Sequence, residues 1–222
     1  MSTHAGGSRT EPVDCVVWLD GEPLAIRVSP GVHTPSPLTQ ALMTALPRVD
    51  GLDVIDAGCG AGAVTVALLR RGAARVAAWD IVPAAVDDTL ENAGRHADAT
   101  RVTPHLGSFA ELAGVAADLL VTNPPQRPRS VWERLPADAR GIGAGGEDGL
   151  EPLAVILAHT AAPRIITSIS TLTAPDLATL ARRHGFGEAT VLADEAIAHD
   201  PVWRYAGSLT DARVRIWELR RT

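Results

Sequence analysis

A glycine turn, with an acid at the end of the next apolar run, is the segment of this sequence best suited to bind a ligand. The turn contains Gly58, Gly60 and Gly62. Glycines between a strand and a helix let the backbone turn tightly and approach a ligand that a Cβ would exclude. Asp80 lies 22 positions after Gly58, where a carboxylate can accept hydrogen bonds from both hydroxyls of a ribose. The pattern predicts an adenosine-containing ligand.

Two classes of cofactor compete for this turn. Gly58, Gly60 and Ala63 also satisfy the dinucleotide fingerprint, which indicates an NAD(P)-dependent oxidoreductase as one candidate. Asp56, just before the first glycine, would repel a pyrophosphate, but it can organise the ammonium end of a sulfonium amino acid. The chain also contains no lysine and so has no Tyr-x-x-x-Lys pair. The segment therefore favours a sulfonium cofactor over a nicotinamide.

The elements around the turn alternate between strand and helix, which predicts a mainly parallel sheet covered on both faces. Predicted strands span residues 52–57, 75–80, 101–106, 118–122, 164–170, 190–196 and 213–219. Predicted helices span residues 38–46, 63–71, 83–97, 151–161 and 174–184. No helix separates the last two strands, so these should pair antiparallel. We expect an α/β, Rossmann-like, doubly wound sheet of seven strands with an antiparallel last strand.

The segment before this sheet has a different character. Residues 1–11 are small and polar and are expected to form a disordered tail. Residues 12–36 should form a β-hairpin around an Asp-Gly turn and then a proline-rich connector, and residues 37–222 the main domain. A long loop is expected over residues 126–149, and Asp148 and Glu151 have the spacing of a helix capping box.

Composition narrows the class of partner. The formal net charge is −6 and no arginine-rich run is present, so a nucleic acid is not favoured as a partner. No apolar run reaches the ~18 residues of a membrane span. Cys15 and Cys59 lie far apart without metal-ligand spacing, which predicts reduced thiols in the cytoplasm and no metal site. Oligomeric state is left open.

Four ordered motifs carry a family resemblance. Residues 54–62 resemble motif I of class I methyltransferases, and Thr122-Asn123-Pro124-Pro125 resembles the motif of those that methylate amino groups. Pro35-Ser36-Pro37-Leu38-Thr39 and residues 145–150 extend the likeness to the protein-(glutamine-N5) methyltransferases that modify release factors. The helical recognition domain of those enzymes is not matched, and a branch of the family that lacks it uses a partner subunit.

The resemblance implies S-adenosylmethionine as the cofactor and assigns its contacts. Asp56, Gly58, Gly60 and Gly62 would line the methionyl part, with Thr39 and Asn123 touching the cofactor from either side. Asp80 would bind the ribose and Ile81 would lie against the adenine. Ser108 and Phe109 stand where the family often has an acid and an apolar residue. Ser108 would therefore hydrogen-bond the adenine more weakly than the acid does.

The resemblance also assigns an acceptor site, which the Asn123 side-chain oxygen and the Pro124 carbonyl would form by accepting N–H hydrogen bonds. Further candidates for substrate binding are Pro125, Gln126, Trp132 and His33. Gln126 replaces the aromatic residue that normally follows the two prolines, which favours a polar acceptor. We expect methyl transfer to a nitrogen of a small polar molecule or a side-chain amide. Methylation of oxygen or carbon in a specialised metabolite and a non-catalytic cofactor-binding role remain alternatives.

Overall fold

The computed structural model describes residues 10–135, 144–171, 176–197 and 213–222. An antiparallel hairpin comes first, with strands β1 (Val13–Leu19) and β2 (Glu22–Val28). The turn between these strands holds Asp20 and Gly21, both with positive φ, as an Asp-Gly hairpin turn requires. The hairpin expected from the sequence is thereby confirmed.

Seven strands form the main sheet in the order β5-β4-β3-β6-β7-β9-β8. They are β3 (Asp53–Ala57), β4 (Arg75–Asp80), β5 (Val102–Leu106), β6 (Leu119–Thr122), β7 (Arg164–Ser170), β8 (Phe186–Ala196) and β9 (Arg213–Arg221). The helices are α1 (Pro37–Ala45), α2 (Ala63–Arg70), α3 (Pro83–His96), α4 (Arg129–Trp132), α5 (Glu151–His159) and α6 (Leu177–Arg183). Within this sheet, β9 pairs antiparallel with β7 and β8, and the other described pairings are parallel. This arrangement confirms the predicted doubly wound architecture.

The sheet separates two apolar cores. One core joins the hairpin to α1, α2 and α3 on one face, with Ile26, Leu42 and Leu68 among its buried members. The other joins α5 and α6 to the opposite face through residues such as Leu153 and Phe186. The central strand β6 is buried at every position because both faces of the sheet are covered. The hairpin is therefore packed into the same core as the first three helices.

Side-chain carboxamides complete the open edges of the hairpin. Gln40 of α1 accepts a hydrogen bond from the backbone N–H of Trp18 and donates one to its carbonyl, at 2.8 and 2.7 Å. Asn92 of α3 binds the N–H and carbonyl of Arg27 in the same manner. A carboxamide reproduces the donor and acceptor of a strand, so these two residues satisfy backbone groups that a neighbouring strand would otherwise satisfy.

A buried acid also anchors the hairpin. The Asp88 carboxylate is fully buried on α3, and it accepts hydrogen bonds from the backbone N–H and hydroxyl of Ser29 and from the Arg27 guanidinium. A buried charge is stable only when it is paired and hydrogen-bonded, and Arg27 with Ser29 provides both. The end of β2 is thus fixed to α3.

Most element boundaries lie within two residues of those predicted, and the differences are local. β8 begins four residues earlier, at Phe186, and α4 lies inside the predicted loop. The predicted capping box at Asp148 and Glu151 is wrong, because the N-cap of the helix is Leu150 and not Asp148. Leu150 is the N-cap of α5, Asp148 accepts from the Leu150 N–H, and Glu151 accepts from the Glu147 N–H. The expected tail over residues 1–11 lies mostly outside the described residues. Within the part of the chain that the structure describes, no helix is long and apolar enough to cross a bilayer.

Candidate active site

The candidate site lies where the winding of the sheet reverses. The chain proceeds outward from β3 to β4 and β5 and then returns to β6 on the other side of β3. Ligands of open α/β sheets bind at the carboxyl ends of strands at such a switch point. Ala57 and Thr122 are paired across β3 and β6, so Gly58 and Asn123 follow neighbouring strand ends. The fold brings together two motifs that are 65 residues apart.

The glycine turn adopts a conformation that favours glycine at each of its three positions. Gly58, Gly60 and Gly62 have φ of 81°, 54° and 82°. The N–H groups of Gly58 and Cys59 both donate to the carbonyl of Trp79, at 2.7 and 3.0 Å. A Cβ at position 62 would come within 2.7 Å of the Thr89 Cα, so the first residue before α2 must be glycine for α3 to pack this closely.

Asp80 is held beneath the turn by backbone donors. Its carboxylate is 8% exposed, and its two oxygens accept hydrogen bonds from the N–H groups of Gly60 and Val82, at 2.9 and 3.0 Å. Each carboxylate oxygen has a second lone pair, so the group can still accept hydroxyl hydrogens from a ligand. The two backbone bonds fix its orientation at the end of β4.

Asp56 lies deeper than Asp80. It is 1% exposed and accepts a hydrogen bond of 2.6 Å from the hydroxyl of Thr65. Burial raises the pKa of Asp56 to about 7, the Thr65 hydrogen bond opposes this, and the charge of Asp80 adds to it. Near neutral pH the Asp56 carboxyl is therefore present in both its protonated and its ionised form.

Cys59 is a structural residue of the glycine turn and does not have the features of a reactive cysteine. The thiol is buried, and burial together with the Asp56 charge raises its pKa well above the usual value. A thiol of raised pKa stays protonated and is a poor nucleophile. No group of three or more possible metal ligands occurs among the residues that the structure describes.

The expected adenine side lies at the ends of β4 and β5. Ile81 is 58% exposed directly after Asp80, as an apolar residue facing an open cleft would be. The Phe109 ring comes within 3.4 Å of the position that a Cβ on Gly58 would occupy. Ser108 already forms two hydrogen bonds within the protein, because its N–H and its hydroxyl both donate to the Glu111 carboxylate, at 2.7 and 2.9 Å.

Gln126 is buried, and the protein itself uses both ends of its amide. Its oxygen accepts from the Ser170 N–H at 2.6 Å, and its nitrogen donates to the Ser168 carbonyl at 3.0 Å and to Asn123 Oδ1 at 3.2 Å. The first two bonds arise because β7 continues past Thr167, where β6 has already ended at its partner Thr122. Gln126 thus completes the edge of β7 and leaves little of its amide for a substrate.

Asn123 joins three elements. Its oxygen accepts from the Ser168 hydroxyl at 2.7 Å and from Gln126, and its nitrogen donates to Thr39 Oγ1 at 3.1 Å. Thr39 also accepts from the Ser36 N–H in the capping box at the start of α1. Pro124 is buried, and no described residue donates to its carbonyl.

The glycine pair Gly145-Gly146 supports the Asn-Pro-Pro-Gln segment. Gly145 donates to the carbonyl of Arg127 at 2.7 Å, and a Cβ on Gly145 would lie 2.7 Å from Gln126 Cα. Two backbones that approach this closely exclude any larger residue at position 145. The Gly145-Gly146 stretch therefore holds Gln126 in place from behind.

The remaining predicted substrate residues differ in their exposure. His33 is exposed, with Nδ1 2.6 Å from the Thr34 carbonyl oxygen, and its own carbonyl oxygen passes 4.0 Å from the Cβ position of Gly60. The proline-rich connector thus crosses the glycine turn. Pro125 and Trp132 are half-buried. Sequence analysis missed Thr65, Ser168 and Ser170, whose only signal is a polar type inside an apolar helix or strand.

A family model matches much of the chain. The model of the methyltransferase small domain matches residues 25–141. A release factor glutamine methyltransferase of Moorella thermoacetica is 38% identical over 144 residues, covering 60% of this chain and 51% of that protein. A ribosomal protein L11 methyltransferase of Symbiobacterium thermophilum is 37% identical over 110 residues, covering 47% and 35%. The chain spans 51%, 48% and 34% of the length of three release factor glutamine methyltransferases that it matches.

Solved structures agree on the fold. The 16S rRNA N2 G1207 methyltransferase of T. thermophilus superposes with a TM-score of 0.67 at 18% identity, covering 99% of this chain and 53% of that one. The Mtq2-Trm112 complex of E. cuniculi, described as methylating the eRF1 termination factor, gives 0.60 at 18% identity, covering 86% and 99%.

Proposed function

The chain belongs to the methyltransferase small domain family, and from this premise we propose that it transfers a methyl group from S-adenosylmethionine to a nitrogen. The acceptor we propose is a side-chain amide or a small polar molecule that carries an amide-like nitrogen. The observation that carries the proposal is the juxtaposition of the glycine turn after β3 with Asn123 and Pro124 after β6. The two free cysteines support a cytoplasmic setting for this reaction.

The residues at the end of β3 and β4 fit the proposed cofactor. A glycine turn with three positive-φ positions offers backbone to a ligand, and Asp80 offers a fixed carboxylate to the ribose hydroxyls. Ile81 and Phe109 would contact the adenine with apolar surface. Asp56 acts from beneath the turn on the methionyl end, and Thr39 reaches the same region from α1 through its contact with Asn123.

The acceptor side has the chemistry to use a poor nucleophile. When bound, S-adenosylmethionine supplies a methyl group already activated by its positive sulfur. An amide nitrogen has a delocalised lone pair, so it must be held with its N–H groups bonded away from the methyl. We propose that the Pro124 carbonyl and Asn123 Oδ1 accept those N–H groups. The prolines fix φ at positions 124 and 125 and so restrict the course of the backbone after Asn123.

The relatives suggest where to look for the acceptor. Release factor glutamine methyltransferases are named for a glutamine side chain, and the Asn-Pro-Pro loop of this chain supports the same kind of acceptor. Gln126, in place of an aromatic residue, sets this chain apart from the family pattern. We therefore propose an amide acceptor without an aromatic contact from position 126.

Labelled S-adenosylmethionine tests the proposal directly. The purified protein is incubated with it and either a purified bacterial release factor or the small-molecule fraction of a cell extract. Label in the release factor or in an amine or amide of the small-molecule fraction supports the proposal, provided that the Asn123→Ala variant gives none. Thermal stabilisation by NAD, with none by S-adenosylhomocysteine, contradicts it.

A further inference from the structure

We propose that Gln126 is a positioning residue. Hydrogen bonds to the β7 backbone fix the orientation of the Gln126 carboxamide, and this carboxamide in turn fixes the orientation of the Asn123 carboxamide. The catalytic meaning of this inference rests on the proposed function, whereas the orientation itself can be tested without turnover. Position 126 would then act on the acceptor through Asn123 rather than by touching it.

The orientation of Gln126 is set by two groups of opposite and invariable polarity. The Ser170 N–H can only donate and faces the amide oxygen, and the Ser168 carbonyl can only accept and faces the amide nitrogen. Reversing the Gln126 amide would place donor against donor and acceptor against acceptor, with unpaired groups in a buried site. The amide nitrogen must therefore lie on the side that faces Asn123.

This polarity decides the orientation of Asn123. Its other two partners are the hydroxyls of Ser168 and Thr39, and a hydroxyl can donate or accept. Either orientation of the Asn123 amide would satisfy those hydroxyls. Gln126 alone among the described partners offers a donor of fixed sense, at 3.2 Å, so Asn123 must turn its oxygen toward it.

The same geometry indicates how the N–H group of a methyl acceptor could bind to Asn123 Oδ1. Asn123 Oδ1 already accepts two hydrogen bonds, from Gln126 and from the Ser168 hydroxyl. The Ser168 hydroxyl can rotate away, but Gln126 cannot, because its backbone partners and the close approach of Gly145 hold it. An acceptor N–H would therefore replace the Ser168 hydrogen, with the Asn123 carboxamide still fixed by Gln126.

Because the chain contains few asparagines, the orientation of the Asn123 amide can be tested by NMR spectroscopy. The chain contains only two asparagines, Asn92 and Asn123, so labelling with 15N-asparagine gives two side-chain amide signals. In Gln126→Met we expect the Asn123 signal to shift or broaden and its exchange with water to accelerate by about tenfold, while the Asn92 signal stays in place. The matched control is Gln40→Met, which removes the carboxamide at the edge of β1 and should leave the Asn123 signal unchanged.

An Asn123 signal in Gln126→Met that superposes on that of the unchanged protein would overturn the proposal, and so would an equal shift in Gln40→Met. If Gln126→Met does not fold, the isosteric Gln126→Glu carries the same comparison. There, an introduced carboxylate would repel Asn123 Oδ1, and protonation at low pH would restore one donor.

Kinetics separates positioning from a merely structural role. With a purified release factor as acceptor, or the labelled small molecule if that is the acceptor found, we expect Gln126→Glu to lower kcat about tenfold at pH 8. We expect KM for S-adenosylmethionine within about twofold and partial recovery of kcat, relative to the unchanged protein, at pH 6. A kcat equal to that of the unchanged protein at both pH values overturns the catalytic part. If the unchanged protein methylates nothing, the proposed function fails, and the spectrum still decides the orientation.

Discussion

The hydroxyl of Thr65 donates a hydrogen bond of 2.6 Å to Asp56 Oδ2, and this contact joins the end of β3 to the first turn of α2. Asp56 is 1% exposed, and burial raises its pKa to about 7 despite that hydrogen bond. The folded protein therefore holds a proton on Asp56 at pH values where the unfolded chain has released it.

This proton makes stability depend on pH with a definite sign. Between the unfolded pKa of 3.8 and the folded pKa of about 7, the contribution of Asp56 to the free energy of unfolding decreases as pH rises, by at most roughly 1.4 kcal/mol per unit. We expect Asp56→Asn to be less sensitive to pH over this window. Urea unfolding at pH 5, 6 and 7 measures the effect, and parallel curves for the two proteins would contradict it.

Asp80 should control cofactor affinity. Its two oxygens accept from the N–H groups of Gly60 and Val82, and an asparagine amide would leave one of those donors without an acceptor. We expect Asp80→Asn to weaken S-adenosylhomocysteine binding about tenfold or more by calorimetry. The control is Glu22→Gln, which removes a surface charge paired with Arg70. An affinity unchanged by Asp80→Asn would exclude the ribose assignment.

Asn123 should matter for transfer and little for cofactor binding. Its oxygen is one of the two acceptors proposed for the substrate nitrogen, and an alanine removes that oxygen. We expect Asn123→Ala to lower the rate of methyl transfer about 100-fold while S-adenosylhomocysteine affinity stays within about threefold. The rate is measured with labelled S-adenosylmethionine. Transfer at the original rate would remove Asn123 from the mechanism.

Gly62 and Gly21 form a matched pair that separates the cost of a positive φ from the cost of steric crowding. Gly62 and Gly21 have nearly the same φ, 82° and 83°, but only at Gly62 does a Cβ meet another backbone, the Thr89 Cα at 2.7 Å. We expect Gly21→Ala to reduce the free energy of unfolding by about 1 kcal/mol and Gly62→Ala by at least about twice as much. Urea denaturation compares them, and equal losses would show that α3 moves aside without cost.

The features that could be predicted from the sequence are those that depend on residues close together along the chain. The alternation of apolar strands with helices determines the order of the elements, and β4 and β7 occupy the predicted residues. The hydrogen bond from Gly60 to Asp80 spans 20 residues within one β-α-β unit, so a motif could anticipate that these residues meet.

The environment of Gln126 could not be predicted in this way. The sequence makes Gln126 a candidate for substrate binding, whereas both ends of its amide are bonded within the protein. Its partners Ser168 and Ser170 lie 42 and 44 residues further along the chain. Which of their backbone groups are open depends on where β6 stops relative to β7. That is a property of strand register, and no local pattern of residue types encodes it.

The different ends of β6 and β7 also divide the contacts of the site by their distance along the chain. The contacts among the glycine turn, Asp56, Asp80 and Phe109 all lie between residues 56 and 109. Asn123 instead takes its partners from Thr39, before the turn, and from Gln126 and Ser168, after it. The half of the cleft around the glycine turn therefore has a lower contact order than the half around Asn123, whose geometry depends on the pairing of β6 with β7.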